Sequence, residues 1–89
     1  MSIEELPIRL RQIRDILHFS QGGVALAMGV TQQSYAQVEA SAHTAKIQTL
    51  NKACQAMGID ISFLISNTPI TRETVIQNLT NPLIVKSHV

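Results

Sequence analysis

The sequence has few aromatic residues and a single cysteine. Tryptophan is absent, and one tyrosine and two phenylalanines are the only aromatic residues among 89. A core with so few rings must be built from Ile, Leu, Val, Ala and Met, and this composition favours packed helices over aromatic-rich strands. Because Cys54 has no partner cysteine, an internal disulfide is excluded, and the sequence is typical of a reducing cytoplasm.

Charge is also scarce. Charged residues make up 15% of the chain, the formal net charge is +1, and no Lys, Arg, Asp or Glu lies between Ile16 and Val38. Polar residues interrupt every apolar run, so no segment is predicted to cross a membrane, and residues 1–5 lack the pattern of a signal peptide. We therefore expect a cytoplasmic protein without a membrane partner. Any nucleic acid must be contacted mainly through neutral donors.

No pattern in the sequence predicts an enzyme, a metal site or a cofactor. His18, His43 and His88 are too scattered for the spacing of metal ligands. Cys54 lies on the apolar side of a predicted helix, where a core role is favoured over that of a nucleophile. No local context of serine, histidine and aspartate indicates a catalytic triad. We therefore expect a binding protein with no catalytic residues, no metal and no cofactor.

Hydrophobic spacing predicts an all-α domain of four or five short helices. Leu6, Leu10 and Ile13 recur at the spacing of one helix face, and this places Arg9 on the polar side of the first helix. The second, third and fourth helices follow from their capping and glycine signals. Their expected bounds are Ser20 to Gly29, Thr31 to Glu39, and residues 44–46 to Gly58.

A different pattern begins after Gly58. Residues 59–63 alternate apolar and polar side chains, which indicates a short C-terminal β-strand. A lone strand leaves backbone groups unpaired, so we expect it to pair with the same strand of a second subunit, the alternative being a strand folded against its own helices. The residues of the dimer or partner interface are Ile59, Ile61, Phe63 and Ile65. The chain then divides into a domain of residues 1–58 and an extension of residues 59–89, with a short helix over 71–79 and an apolar run at 83–85.

Two short helices joined by a tight glycine turn, the second of them polar, form a DNA-binding pattern. The second helix of such a pair enters the major groove, so its first residues must be able to read base edges. A glutamine amide carries a donor and an acceptor, which match N6 and N7 of adenine. We therefore interpret Gln32, Gln33 and Gln37 as the base-reading residues.

This arrangement resembles a known family residue by residue. Residues 20–31 fit the pattern S-Q-x-x-[LV]-A-x-x-[LM]-G-V-[ST] of the Cro/repressor-type (XRE) helix-turn-helix family, and residues 31–39 are similar to the recognition helix of its phage repressors. The likeness extends over about residues 6–59. It implies a lambda-repressor-like bundle that binds a palindromic double-stranded DNA operator as a homodimer and represses transcription.

The resemblance also implies roles for individual side chains. Arg14 is expected to form a structural ion pair with Glu39, which ties the first helix to the recognition helix. The residues expected to contact the DNA backbone are Ser20, Gln21, Thr31, Ser34, Thr44 and Lys46. Gly22 and Gly23 depart from the family pattern, which has polar residues at these positions.

A second hypothesis comes from the architecture. Helices followed by a short β segment resemble, more loosely, small antitoxins of the HipB kind, in which a repressor domain also binds a toxin. The alternative function is therefore an antitoxin that neutralises a partner toxin and regulates its own operon. Its motivation is the apolar stretch from Ile59 to Val89.

Overall fold

The computed structural model describes residues 1–80 and contains six α-helices within that range. The helices are α1 (Leu6–Ile16), α2 (Gln21–Met28), α3 (Gln32–Ala40), α4 (Ile47–Met57), α5 (Ile61–Leu64) and α6 (Arg72–Gln77). Short 3-10 turns lie at Ile3–Glu5 and Ala42–Thr44. The predicted all-α class is confirmed. The apolar run predicted at residues 83–85 lies outside the described residues.

Side-chain caps define where α2 and α3 begin. The hydroxyl of Ser20 accepts a hydrogen bond from the backbone N–H of Gly23, and that of Thr31 accepts one from the N–H of Ser34. At the end of α2, Gly29 adopts a φ of 76°, a left-handed conformation that glycine reaches without a Cβ clash. Each side-chain cap stabilises its helix by about 1 kcal/mol, so both helices begin close to their predicted bounds.

The strand predicted for residues 59–63 is wrong, because this segment forms α5. Asp60 caps that helix by accepting a hydrogen bond from the backbone N–H of Ser62 at 2.8 Å. Ile59 makes only an isolated antiparallel bridge with Leu79, and residues 1–80 contain no β-strand. An apolar–polar alternation over five residues also fits one helical turn that begins with an N-cap aspartate, and the cap decides between the two structures.

The strand interface predicted for a second subunit is replaced by internal packing. Ile59 and Phe63 are 1% and 3% exposed and belong to the chain's own core. Ile61 is half-buried, whereas Ile65 is 44% exposed. Of the four residues predicted to line the interface, Ile65 is therefore the one that lies fully on the surface.

The core draws on helices from both sides of residue 58. Leu10 and Ile13 of α1, Leu64 of α5 and Val75 of α6 are fully buried in one cluster. Burying such a side chain stabilises the fold by about 1.5–3 kcal/mol. Residues 59–79 therefore complete the same core that holds α2 and α3 in place. The remaining buried apolar residues are Leu6, Val24, Ala25, Tyr35, Ala42, Leu50, Ala53, Cys54, Met57, Ile59 and Phe63.

The sequence pattern predicted Arg9 on the solvent-exposed polar side of α1, but the structure places it in the core. The residue is 7% exposed, and its guanidinium donates hydrogen bonds of 2.7–2.9 Å to the carbonyl oxygens of Phe63, Leu64 and Thr68. Burial lowers the pKa of Arg9, while the charge of Glu5 opposes that shift. The last carbonyls of a helix have no partner within the helix, and Arg9 supplies charged donors to two of them at the end of α5, where the N–H and hydroxyl of Ser66 also donate to the carbonyl of Phe63.

Arg9→Met should lower the free energy of unfolding by about 3 kcal/mol, because two buried carbonyls lose a charged donor. Urea denaturation followed by circular dichroism measures the change. Arg11→Met is the matched control, since the Arg11 side chain is 70% exposed and its loss should change stability by less than about 0.5 kcal/mol. An equal effect of the two substitutions would show that the carbonyl contacts do not stabilise the fold.

Candidate nucleic-acid interface

Backbone hydrogen bonds hold the turn between α2 and α3. The N–H of Val30 donates to the carbonyl of Ala25 at 3.0 Å, and the N–H of Gly29 donates to that of Leu26 at 3.1 Å. With Gly29 left-handed, these bonds form a glycine-terminated helix end, and the chain enters α3 directly after it. Ala25 of α2 and Tyr35 of α3 are buried, so core contacts on the inner face of α3 fix its orientation.

The outer face of α3 carries the three glutamines predicted to read bases. Gln32, Gln33 and Gln37 are exposed, whereas Tyr35 and Glu39 on the opposite face are buried. Gln33 and Gln37 lie one turn apart and therefore share a face. Within residues 1–80, neither of these two amides makes a side-chain hydrogen bond to another residue. Their donors and acceptors are free to bind an external partner.

Gln32 differs from the other two glutamines, because its side chain lies against the first turn of α2. A Cβ atom added to Gly22 would be 3.2 Å from Oε1 of Gln32, which is closer than ordinary van der Waals contact. The glycine that departs from the family pattern thus leaves room for the Gln32 amide. The structure therefore separates Gln32, which folds back toward α2, from Gln33 and Gln37.

The hydroxyl groups predicted to contact the DNA backbone differ in whether they already donate a hydrogen bond within the protein. Thr31 donates its proton to Oγ of Ser34 at 2.9 Å, and Thr44 donates its own to the carbonyl of Ser41 at 3.0 Å. Ser20 and Ser34 act as acceptors in the contacts described here. Since their protons are not donated within residues 1–80, Ser20 and Ser34 are the better donors to a phosphate oxygen.

A groove of about 520 Å³ lies between α3 and the start of α4, and we name it the α3–α4 groove. It brings together four predicted residues, Ser34, Gln37, Thr44 and Lys46. Its remaining lining is Val38, Ser41, Ala45 and Thr49. Ser41 and Thr49 were not predicted to contact DNA, although each carries a hydroxyl group one helical turn beyond a residue that was predicted to do so. The groove therefore collects hydroxyl and amide groups beside a single cation.

Gln21 lies on the other side of α3, apart from this set. It is half-buried and lines a second groove, which we name the α1–α3 groove, together with Arg14 and Glu39. The residues predicted to contact the DNA backbone thus fall on both flanks of α3, with Gln33 and Gln37 on the exposed face between them.

Arg14 and Glu39 form a two-pronged ion pair between α1 and α3. Nε and Nη2 of Arg14 donate to the two carboxylate oxygens of Glu39 at 2.8 and 3.0 Å. Nη1 donates to the carbonyl of Phe19 at 2.9 Å, just before α2. The two side chains are only 11% and 6% exposed. One guanidinium therefore joins α1, α3 and the segment that leads into α2.

The surroundings of the pair shift its protonation equilibria. Burial raises the pKa of Glu39, but side-chain hydrogen bonds, chiefly those from Arg14, together with the charge of Arg14 outweigh burial, so the pKa of Glu39 lies below its ordinary value. The hydrogen bond to Glu39 raises the pKa of Arg14. Burial, with the Glu39 charge beside it, raises the pKa of Tyr35 far above its usual range. The Tyr35 hydroxyl is buried without a hydrogen bond of good geometry, so this carboxylate depends chiefly on Arg14.

Residues 10–64, more than half of the chain, match the model of a helix-turn-helix family. The chain belongs to the XRE-type helix-turn-helix family. This is a family of DNA-binding transcription regulators, and both α2 and α3 lie within the matched residues. No curated protein and no solved structure matches the chain.

Three further features of the described residues bear on function. None of its helices is long and apolar enough to cross a membrane. Residues 1–80 contain no group of three or more His, Cys, Asp or Glu residues able to hold a metal ion. Cys54 is fully buried, and burial raises its pKa to about 12, so its thiol remains protonated at neutral pH.

Glu39→Gln should lower the free energy of unfolding at pH 7 by about 3 kcal/mol, because Arg14 is left buried without a counter-charge. Since the folded state lowers the pKa of Glu39, the wild-type advantage is complete above the unfolded pKa of about 4.3. It is lost as the pH falls through the lower folded value. Urea denaturation at pH 7, 5 and 3 should therefore show the two proteins converging at the lowest pH.

Glu73→Gln is the control for this experiment, because Glu73 is exposed on α6. It should change stability by less than about 0.5 kcal/mol. A stability difference between wild type and Glu39→Gln that stays constant across the three pH values would contradict the ionic role of Glu39.

Proposed function

We propose that this chain is a transcriptional repressor that binds a palindromic double-stranded DNA operator as a symmetric dimer. The observation that carries the proposal is the pair of amides of Gln33 and Gln37, which have no hydrogen-bond partner within residues 1–80 and lie on the exposed face of the recognition helix. Hydroxyl groups flank them in the α3–α4 groove. Contacts to base edges give specificity, while contacts to phosphates fix the register of the protein on the duplex. Repression follows from covering the operator.

Adenine is the base that these glutamines suit best. A glutamine side chain can accept a hydrogen bond from N6 of adenine and donate one to N7 in the major groove. Gln33 lies in the first turn of α3 and Gln37 in the next, so the two can contact neighbouring base pairs. Gln32 packs against Gly22. We assign it a positioning role at the start of α3 and a contact at the edge of the DNA-binding site.

Gln33→Ala should relax base preference at one position of each half-site, because one two-pronged amide–base contact is worth about 1–3 kcal/mol of discrimination. Fluorescence anisotropy with a fragment of the protein's own promoter, beside a scrambled duplex of equal length at equal salt, measures the effect. The expected loss is confined to the promoter fragment.

Gln55→Ala is the matched control, since Gln55 is also exposed but lies on α4. It should leave both affinities unchanged. If Gln33→Ala instead weakens binding to the promoter and the scrambled duplex by the same factor, Gln33 contacts the backbone and the base-reading assignment is wrong.

Dimerisation is proposed because one subunit offers DNA few free charges. Arg9 and Arg14 are committed to internal contacts, and the formal net charge of the chain is +1. The electrostatic part of the binding free energy is therefore small, and two subunits that bind adjacent half-sites compensate for it. The recognition helices of such a dimer lie about 34 Å apart, one turn of DNA.

The surface proposed for the second copy is apolar. Met1, Ile3, Ile47 and Ile65 are 40%, 59%, 60% and 44% exposed and surround a depression of about 310 Å³. Among residues 1–80, no lysine, arginine or carboxylate side chain lines the depression. The N-terminal ammonium of Met1, which also lies there, donates a hydrogen bond to Asn67. Ile47 follows Lys46 of the α3–α4 groove, so a partner on this surface lies beside the DNA-binding face. This surface replaces the strand pairing expected from the sequence.

Ile47→Glu should shift the dimer to monomer, because it places a charge in an apolar contact that must lose its water. Sedimentation velocity over a range of protein concentrations measures the change in mass. Leu26→Glu is the control: Leu26 is 82% exposed on α2 and outside this surface, so the variant should remain dimeric. A dimer that survives Ile47→Glu but dissociates with Leu26→Glu would place the interface on α2.

Sedimentation velocity also distinguishes the repressor dimer from the antitoxin alternative. An antitoxin would present the apolar surface to a different protein, the toxin. A wild-type chain that stays monomeric at every concentration, and loses a co-purifying toxin on Ile47→Glu, would favour that alternative.

A further inference from the structure

The amide of Gln32 lies against the first turn of α2 with its oxygen turned inward. A Cβ atom added to Gly22 would lie 3.2 Å from Oε1 of Gln32 and 3.7 Å from Cδ, so the oxygen is the nearer end of the amide. The amide nitrogen lies farther from that point than Oγ of Ser20, which is 3.8 Å away. Because Gln32 is exposed, its NH2 group remains on the outer side of the contact.

The first turn of α2 is a favourable place for an oxygen atom. The N–H of Gly23 donates to Oγ of Ser20 at 2.9 Å. The N–H groups of Gln21 and Gly22 precede it in the same turn, where no carbonyl of the helix can accept from them. These two groups lie at the positive end of the helix, which attracts the partial negative charge of the Gln32 oxygen. The inward orientation of the amide therefore has a physical cause.

Glycine at position 22 leaves the space that the Gln32 oxygen occupies. Any other side chain there begins with a Cβ atom 3.2 Å from this oxygen, which is shorter than ordinary van der Waals contact. Apart from proline, glycine is the least favourable residue for the interior of a helix, so helix stability does not explain its presence in α2. Gly22 is thus the residue that permits the observed position of the Gln32 amide.

We propose that Gly22 determines the base preference at one position of each DNA half-site, because it restricts Gln32 to hydrogen bonds that Gln32 donates. The inference rests on the proposed function, since it needs α3 in the major groove. With its oxygen held against α2, the Gln32 amide does not accept from N6 of adenine while it donates to N7. It reads the base with its NH2 group alone.

A lone donor recognises three of the four bases. In the major groove adenine and guanine present N7, guanine adds O6, and thymine presents O4, all of which are acceptors, whereas cytosine presents its N4 amino group. The base pair that Gln32 contacts should therefore accept adenine, guanine or thymine and disfavour cytosine. Gln33 and Gln37 keep both amide groups available for adenine, so the position read by Gln32 is the permissive one.

Competition binding followed by fluorescence anisotropy tests this inference. The competitors are promoter duplexes that carry each of the four bases in turn at each position of the half-sites, and the relevant position is the one at which Gln32→Ala changes the base preference. Wild type should bind the adenine, guanine and thymine duplexes within about threefold of one another and the cytosine duplex more weakly. Gly22→Ala displaces the oxygen, so it should favour adenine there by about tenfold, as a two-pronged contact does.

Gly23→Ala is the matched control, because it adds the same methyl group one residue further along the same turn. Its Cβ would contact Oγ of Ser20 and the ring of Phe19 rather than Gln32, so the base preference should stay at the wild-type value. A double variant that combines Gly22→Ala with Gln32→Ala should have the base preference of Gln32→Ala alone, since Gly22 acts through this amide.

Two results would overturn the inference while leaving the proposed function intact. One is specific promoter binding by wild type with a tenfold preference for adenine at this position that Gly22→Ala does not change. The other is specific binding in which Gln32→Ala alters the base preference at no position. If wild type instead binds the promoter and the scrambled duplex equally, the proposed function itself fails, and this assignment fails with it.

Discussion

The ion pair between Arg14 and Glu39 is the interaction on which the DNA-binding face depends. Helix α3 has nine residues and would be marginal in isolation, because helices of this length gain most of their stability from packing. Tyr35 anchors its inner face, and the pair fixes its far end to α1 with two hydrogen bonds. The same guanidinium binds the carbonyl of Phe19. A single side chain thus joins α3 to α1 and to the segment that leads into α2.

The distribution of charge follows from this arrangement. Arg9 and Arg14 have their guanidinium groups turned toward internal partners, three carbonyls in one case and a carboxylate in the other. The exposed face of α3 carries the amides of Gln33 and Gln37, and the α3–α4 groove beside it adds hydroxyl groups and the cation of Lys46. A face of this kind gains little from long-range attraction to DNA. Its affinity must come from short-range hydrogen bonds in a well-fixed geometry, which makes the rigidity of α3 important for function.

Much of the candidate site could be predicted from the sequence because its signals are local. Ser20 and Gly29 determine where α2 begins and ends, and Thr31 where α3 begins, through contacts within five residues. The helical period places Gln33 and Gln37 on one face. The strand expected at residues 59–63 shows the limit of such patterns. A short alternation is compatible with two structures, and Asp60 decided for the helix.

The sequence by itself determined the bounds of α2 and α3, the polar face of α3 and membership of the helix-turn-helix family, because each depends on residues that are neighbours along the chain. Tertiary structure decided which side chains are buried and which helix surfaces pack together. Arg9 is buried through bonds to residues more than 50 positions away, and Ile59 and Phe63 belong to the same buried cluster as residues of α1. Arg11 flanks the recognition helix because α1 packs beside α3. These properties depend on how distant helices pack together, and a periodic pattern along one helix carries no information about its neighbours.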